Sequence, residues 1–280
     1  MKYGLPYKGS KNQIAQQIVD ALPAGDVLVD LFGGGGAITH CAVLSHKWKK
    51  VIYNDNNELL VKFFKNAVEG KYKHPYPVYT RQEFNMYKYG DPVAKWCYSF
   101  GNDGKYYLWS ADVEQFKITA SKMIEEPDAR QRYSLYRKFI NELLKYLTNG
   151  DLKNVSLENL YQLKGIERLQ GLERLQGLEG IERIEDSCLD ILNKDYREVE
   201  IPDNAIVYCD IPYKGTKADY VQGFDYEAFY EWASKQNNIY ISEYEMPDNF
   251  KCVKEITRRG TLSMDNKTHY VTEKIFTVKG

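Results

Sequence analysis

Asp30-Leu31-Phe32-Gly33-Gly34-Gly35-Gly36 follows directly on Val27-Leu28-Val29, and how this stretch folds decides the architecture of the chain. An apolar run over 27–32 with a glycine cluster behind it suits a buried parallel strand that ends in a tight turn. Glycines at the carboxyl end of such a strand let the backbone approach a ligand closely, in the crevice where open α/β sheets bind cofactors. Moving outward, residues 37–45 continue as a helix and 51–54 form a second strand. Helical spacing through Leu59, Leu60, Phe63 and Phe64 then stops before Gly70. On the amino side, Ser10 is the expected N-cap of a helix carrying Ile14, Ile18 and Leu22, closed by Pro23. Strand, helix, strand, helix predicts an α/β fold with a Rossmann-like, doubly wound sheet.

From about residue 75 the alternation fails. Pro75, Pro77 and a tyrosine-rich stretch lead to Asn102-Asp103-Gly104, a turn signal between aromatic runs, and an aromatic core hairpin is the expected fate of Tyr106 to Trp109. Helical periodicity resumes over 128–149, with Tyr133, Tyr136, Ile140, Leu143, Leu144 and Leu147 sharing one face. Between Leu157 and Ile184 an apolar residue recurs at every third position, a period that fits neither helix nor strand; a solenoid-like coil and an irregular amphipathic helix both stay open. The α/β pattern returns with strands at 205–209 and 239–242. A turn over 257–261 and a strand over 268–278 predict a terminal antiparallel hairpin. The expected domains are a catalytic body of 1–74 and 187–280, a mainly helical insertion of 75–150, and the leucine and glycine repeat of 151–186.

Composition limits the function classes. Across 280 residues, 43% apolar content is globular, and the 24 tyrosines suit surfaces that bind polar, planar ligands. No stretch approaches the ~20 apolar residues of a membrane span, and the opening residues carry no apolar signal segment, so a cytoplasmic location is expected. Five cysteines without CxxC spacing and four histidines without an HxxxH pair suggest neither disulfides nor a metal site. A net charge of −1 means that any nucleic-acid surface is local, with basic clusters at 47–50, 130–137 and 258–259 as candidates that also suit plain solvated faces.

Chemistry concentrates at strand ends. Asp55, about 20 residues after the glycine turn, is placed to accept both hydroxyls of an adenosine ribose, although capping of the following helix would explain it as well. Four consecutive glycines depart from the GxGxxG of a dinucleotide site. Tyr208-Cys209-Asp210-Ile211-Pro212-Tyr213 sets a carboxylate, a carbonyl in a proline turn and an aromatic ring at one strand end. Asp210 and the Ile211 carbonyl can accept the two hydrogens of an exocyclic amino group while Tyr213 stacks on the ring that bears it. Such acceptors draw a delocalised nitrogen toward tetrahedral geometry, which is transition-state stabilisation by preorganised dipoles.

With these residues in this order the chain resembles the Dam-like DNA adenine N6-methyltransferases over nearly its whole length. Pro6-Tyr7-Lys8-Gly9-Ser10-Lys11 looks like the family's aromatic-x-Gly-x-Lys segment, implying that Tyr7 and Lys11 contact S-adenosylmethionine. Asp30, Phe32, Gly33 and Gly35 are similar to the family's cofactor loop, Asp55 to its ribose-binding acid, and Asp195-Tyr196 to an Asp-Phe pair near the cofactor adenine. Asp210, Ile211, Pro212 and Tyr213 look like its catalytic DPPY tetrapeptide, with Ile211 in place of the first proline, so the acceptor carbonyl survives without the fixed φ. The resemblance implies methyl transfer from S-adenosylmethionine to the N6 of an adenine flipped out of double-stranded DNA, by direct attack of the amino nitrogen. It implies an insertion that reads DNA, with Arg81, Asn102, Lys105, Arg130, Arg132 and Arg137 as donors to bases and phosphates. A monomer is expected, and association with a restriction endonuclease system is compatible with the pattern. Two alternatives stay open: a catalytically silent DNA-binding relative, and a methyltransferase acting on another planar nitrogen, such as an RNA base or a glutamine amide.

Overall fold

The computed structural model describes residues 3–148, 188–214, 223–259 and 270–279, with positions 174, 175, 177, 178 and 181 between them. Most of the period-three repeat and the 215–222 and 260–269 segments lie outside the described residues. Of the repeat, Leu175, Leu178 and Ile181 are described and all three are buried. The chain forms two units, one of Met1–Gly4, Ser10–Lys65 and Ile184–Gly280, the other of Leu5–Gly9 and Asn66–Arg183.

The first unit is built on a seven-stranded sheet of order β3-β2-β1-β4-β5-β7-β6. Its strands are β1 (Val27–Asp30), β2 (Lys50–Asn54), β3 (Leu189–Leu192), β4 (Ile206–Asp210), β5 (Ile239–Glu243), β6 (Phe250–Arg259) and β7 (Tyr270–Val278). The first five run parallel, and β7 is antiparallel to both β5 and β6. Helices α1 (Ala15–Ala21), α2 (Ala37–Ser45), α3 (Glu58–Val68) and α7 (Tyr226–Ala233) accompany the sheet. Strands covered on both faces read as unbroken apolar runs, and Leu28, Val29, Val207 and Cys209 of β1 and β4 are all fully buried. The core continues through Ile211, Phe229, Ile239 and Ile241.

The chain winds outward from β1 to β3 and then returns to place β4 on the other side of β1, with Asp30 in register with Tyr208. This reversal is the switch point at which open sheets leave a crevice beyond their carboxyl ends. The turn after β1 is tight: Gly34 and Gly36 have φ of 51° and 69°, and the Gly36 amide donates to the Gly33 carbonyl at 2.7 Å. Asp30 then anchors the first turn of α2, its Oδ2 accepting from the Thr39 amide (3.1 Å) and hydroxyl (2.7 Å).

The second unit carries α4 (Arg81–Tyr87), α5 (Ala111–Glu125) and α6 (Ala129–Thr148), with a short π-helical turn at Val93–Cys97. Thr80 and Glu83 close a capping box on α4. The aromatic stretch does form a hairpin, bridged at Ser99 and Tyr107, with Tyr98, Tyr107 and Trp109 buried and Tyr106 turned out to solvent.

Four expectations are corrected. Ser10 does not cap α1, which starts at Ala15 without a side-chain cap. Residues 257–259 extend β6 instead of turning, because Thr257 and Arg258 pair with Thr272 and Val271. Tyr133 and Tyr136 are exposed, 64% and 48%, and stack on each other, while Leu143 on the same helix is buried, so the predicted shared face is split. Finally, β3 is a strand that the sequence pattern did not announce.

A side chain at Gly36 would meet two obstacles, a left-handed φ and the Phe64 ring, which itself stacks on Tyr53 at 4.5 Å. Gly36→Ala is expected to destabilise the protein by about 2–4 kcal/mol, read as a lower urea midpoint at unchanged slope.

Candidate active site

Asp210 ends β4 at the switch point, and its carboxylate is met by the Lys11 ammonium, Nζ to Oδ1 at 2.7 Å. Lys11 is 8% exposed, and its Nζ also lies 4.6 Å from the centre of the Tyr213 ring. The tetrapeptide is held at several points. The Ile211 side chain is sunk in the core, the Pro212 carbonyl accepts from the Tyr226 hydroxyl at 2.9 Å, and the Tyr213 hydroxyl donates to Glu273. The Tyr213 ring packs edge-on to Tyr244 with centroids 4.6 Å apart. At the end of β5, Glu243 is buried and accepts from the backbone amides of Lys214 and Tyr244.

On the other side of the switch point the glycine turn is fastened to β2. The Gly33 amide donates to the Asn54 carbonyl at 2.7 Å, and the Tyr53 hydroxyl donates to the Gly34 carbonyl at 2.8 Å. Gly33 leaves no space for a Cβ against the Tyr53 ring. Asn54 is buried and spends its side chain on the ends of two neighbouring strands, donating to the Leu31 and Lys194 carbonyls and accepting from the Lys194 amide. Asp55 accepts from the Gly34 amide at 2.9 Å and the Asn57 amide at 2.8 Å. The Asn57 contact, just ahead of α3, is the one the capping reading of Asp55 expects. Asp195 caps the short turn Tyr196–Glu198 and pairs with Arg197, while Tyr196 packs on Phe32 with centroids 5.4 Å apart.

The strand ends gather acidic side chains, with Asp30 fully buried among them. Burial is the main cause that lifts the Asp30 carboxyl to about 7, with the charges of Asp210 and Asp55 adding to it and the Thr39 hydrogen bonds opposing it. Burial also raises Asp55, against the pull of its two amide donors. Asp210 is raised by burial and held back by Lys11. Desolvated carboxylates that repel one another are suited to a cationic ligand.

Lys11, Asp30, Phe32, Gly33, Gly35, Asp55, Asp195, Tyr196 and Asp210 to Tyr213 all belong to the first unit, at or near the carboxyl ends of its parallel strands. Tyr7 belongs to the second unit, where its ring packs against Trp96. The expected DNA contacts divide. Arg81 is engaged within its own unit by Glu114, the Trp109 carbonyl and the Tyr107 face, Asn102 donates to the Trp96 carbonyl, and Arg132 donates to the carbonyls before α6. These three side chains hold loops and helix ends together. Lys105 is exposed, and Arg130 and Arg137 stand on the exposed half of α6 without a side-chain partner among the described residues.

Sequence reasoning missed Glu243 and Glu273, and offered Arg258 only within a basic cluster, whereas its guanidinium is engaged by Glu273. Glu273 had a readable signal, a carboxylate on the inward side of an alternating strand between Val271 and Ile275, where burial of a charge demands partners. Among the described residues no cluster of His, Cys, Asp and Glu is arranged to hold a metal ion, and no helix is long and apolar enough to cross a membrane.

Residues 7–278 match the family model of the D12 class N6 adenine-specific DNA methyltransferases. No individual curated protein matches the chain.

Removing Lys11 leaves Asp210 with its burial and without its counter-charge. Lys11→Met is therefore expected to raise the Asp210 pKa further, so that activity requiring the ionised carboxylate is lost at higher pH than in the wild type. A pH–rate profile whose acidic limb fails to move upward would contradict this role for Lys11.

Proposed function

Because this chain belongs to the D12 class N6 adenine-specific DNA methyltransferases, we propose that it transfers a methyl group from S-adenosylmethionine to the N6 amino nitrogen of an adenine flipped out of double-stranded DNA, with Asp210 as the principal acceptor. The observation that carries the reading is the Asp210 carboxylate, desolvated at the end of β4 and steadied by Lys11 across the switch point from the β1–α2 glycine turn. When bound, S-adenosylmethionine supplies an electrophilic methyl group on a positively charged sulfur.

The residues fit that group by the chemistry of their donor set. Burial raises the proton affinity of Asp30, Asp55 and Asp210, the charges of Asp210 and Asp55 add to it at Asp30, and a cation brought among them would favour their ionised forms. Asp55 uses one lone pair of each oxygen on backbone amides and keeps others for ribose hydroxyls. Phe32 and Tyr196 offer an aromatic wall for an adenine, and the glycine turn lets the cofactor lie against the backbone.

Asp210 Oδ and the Ile211 carbonyl would accept the two amino hydrogens, drawing the nitrogen lone pair out of the ring and toward the methyl group. Tyr213 would stack on the extruded base and offset part of the few kcal/mol spent on unstacking it. No covalent intermediate on the enzyme is required. In the second unit, Arg130 and Arg137, with the stacked pair Tyr133 and Tyr136 on the same exposed half of α6, are the proposed contacts to duplex DNA. Family membership favours DNA adenine over an RNA base or a glutamine amide as the acceptor.

Asp210→Ala is expected to slow methyl transfer by about 100–1000-fold while cofactor affinity changes only a few-fold; a variant with full activity would defeat the proposal. The cofactor should also bind more weakly as pH falls. Ionised Asp30 favours a cation and protonated Asp30 does not, so affinity should decline as pH drops through about 7, the value to which its carboxyl is raised. S-adenosylhomocysteine, whose sulfur is uncharged, should show a flatter dependence in the same titrations.

A further inference from the structure

The aromatic end of the acceptor loop is fastened from β6 and β7. The Tyr213 hydroxyl donates to Glu273 Oε2, and Arg258 donates from Nε (3.2 Å) and from its NH2 group (3.0 Å) to Glu273 Oε1. Glu273 is 1% exposed. A carboxylate carried so deep is costly unless both oxygens are answered, and the β7 ladder uses only backbone groups, so the sheet itself has no need of this side chain. Its two oxygens face two different partners, a fixed cation and the ring proposed to stack on the substrate.

The need for such a tether follows from Ile211. A proline there would fix its φ; isoleucine does not, and leaves the direction of the following residues to be set by contacts. The Ile211 side chain anchors the start of the turn in the core, the Tyr226 hydroxyl holds the Pro212 carbonyl, and Glu273 holds the far edge of the Tyr213 ring. We infer that Glu273, held in turn by Arg258, is the positioning residue that sets the plane of the Tyr213 ring and with it the angle at which the acceptor base is presented to Asp210. The inference rests on the reading of Asp210 to Tyr213 as the acceptor loop.

Glu273→Gln preserves shape but leaves a single acceptor oxygen, so either Tyr213 or Arg258 meets an amide NH2 in place of an acceptor. Tyr213→Phe keeps the ring and removes the hydroxyl. If Glu273 acts through that hydroxyl, the two changes delete the same interaction and cannot add. Four proteins decide the matter: wild type, Glu273→Gln, Tyr213→Phe and the double variant, compared by single-turnover methyl transfer to an adenine-containing duplex with cofactor and DNA saturating. Each single change should slow the transfer step by about 10–100-fold, the double variant should lie within about 3-fold of the slower single, and cofactor affinity should stay within about 2-fold of wild type. Rate losses that multiply in the double variant, a wild-type rate in Glu273→Gln, or a loss confined to cofactor or DNA affinity would overturn the inference. If the wild type itself transfers no methyl group to DNA, the proposed function fails instead. The tether is then judged from urea midpoints of the same four proteins, where additive shifts would overturn it.

Discussion

A carboxylate half-buried at the end of a strand is steadied by an opposite charge, and the pairing of Asp210 with the Lys11 ammonium at 2.7 Å supplies it. The two residues are 199 positions apart, so the contact exists only when the amino-terminal loop and β4 meet over the switch point. Without Lys11, burial and the charge of Glu273 would push Asp210 toward its neutral form, in which it accepts fewer hydrogens. The Lys11 ammonium opposes that shift.

The sheet makes that arrangement by topology. Parallel strands point their carboxyl ends the same way, so Asp30, Asp55 and Asp210 arrive at one edge from three strands, β1, β2 and β4. Hydrogen bonds then trim the edge: the Gly33 amide to the Asn54 carbonyl, the Asn54 side chain to the ends of β1 and β3, and the Gly34 amide to the Asp55 carboxylate. The antiparallel β7, added beyond β5, brings Glu273 to the opposite side of the tetrapeptide, where it meets the Tyr213 hydroxyl. The parallel half thus gathers the acids, and the terminal hairpin brings Glu273 to the Tyr213 ring.

Much of this was legible because it is local. The glycine turn, the apolar runs of β1, β4 and β5, the helix at 37–45 and the tetrapeptide are each written in consecutive residues, and each forms where the pattern places it. What escaped is non-local or masked by a stronger pattern. Leu189-Asp190-Ile191-Leu192 follows a long leucine period that drowns a four-residue strand. The end of β6 reads as a polar turn because an edge strand alternates solvated residues such as Glu255 and Thr257 with Arg258, whose partner Glu273 lies 15 positions away. Arg81 and Arg132 looked like free donors since nothing in the sequence tells that Glu114 or the Glu126 carbonyl waits for them. Glu273 needed a tertiary partner before its inward carboxylate made sense.

The most direct measurement is a crystal structure of the protein with a non-reactive amine analogue of the cofactor and a duplex carrying its target adenine. The expected result puts the ribose hydroxyls on Asp55, the amine nitrogen facing Asp210 across the glycine turn, and the adenine amino group hydrogen-bonded to Asp210 and to the Ile211 carbonyl. A ligand bound away from the β1–α2 turn, or a base lodged where Asp210 cannot reach its amino group, would contradict the assignment.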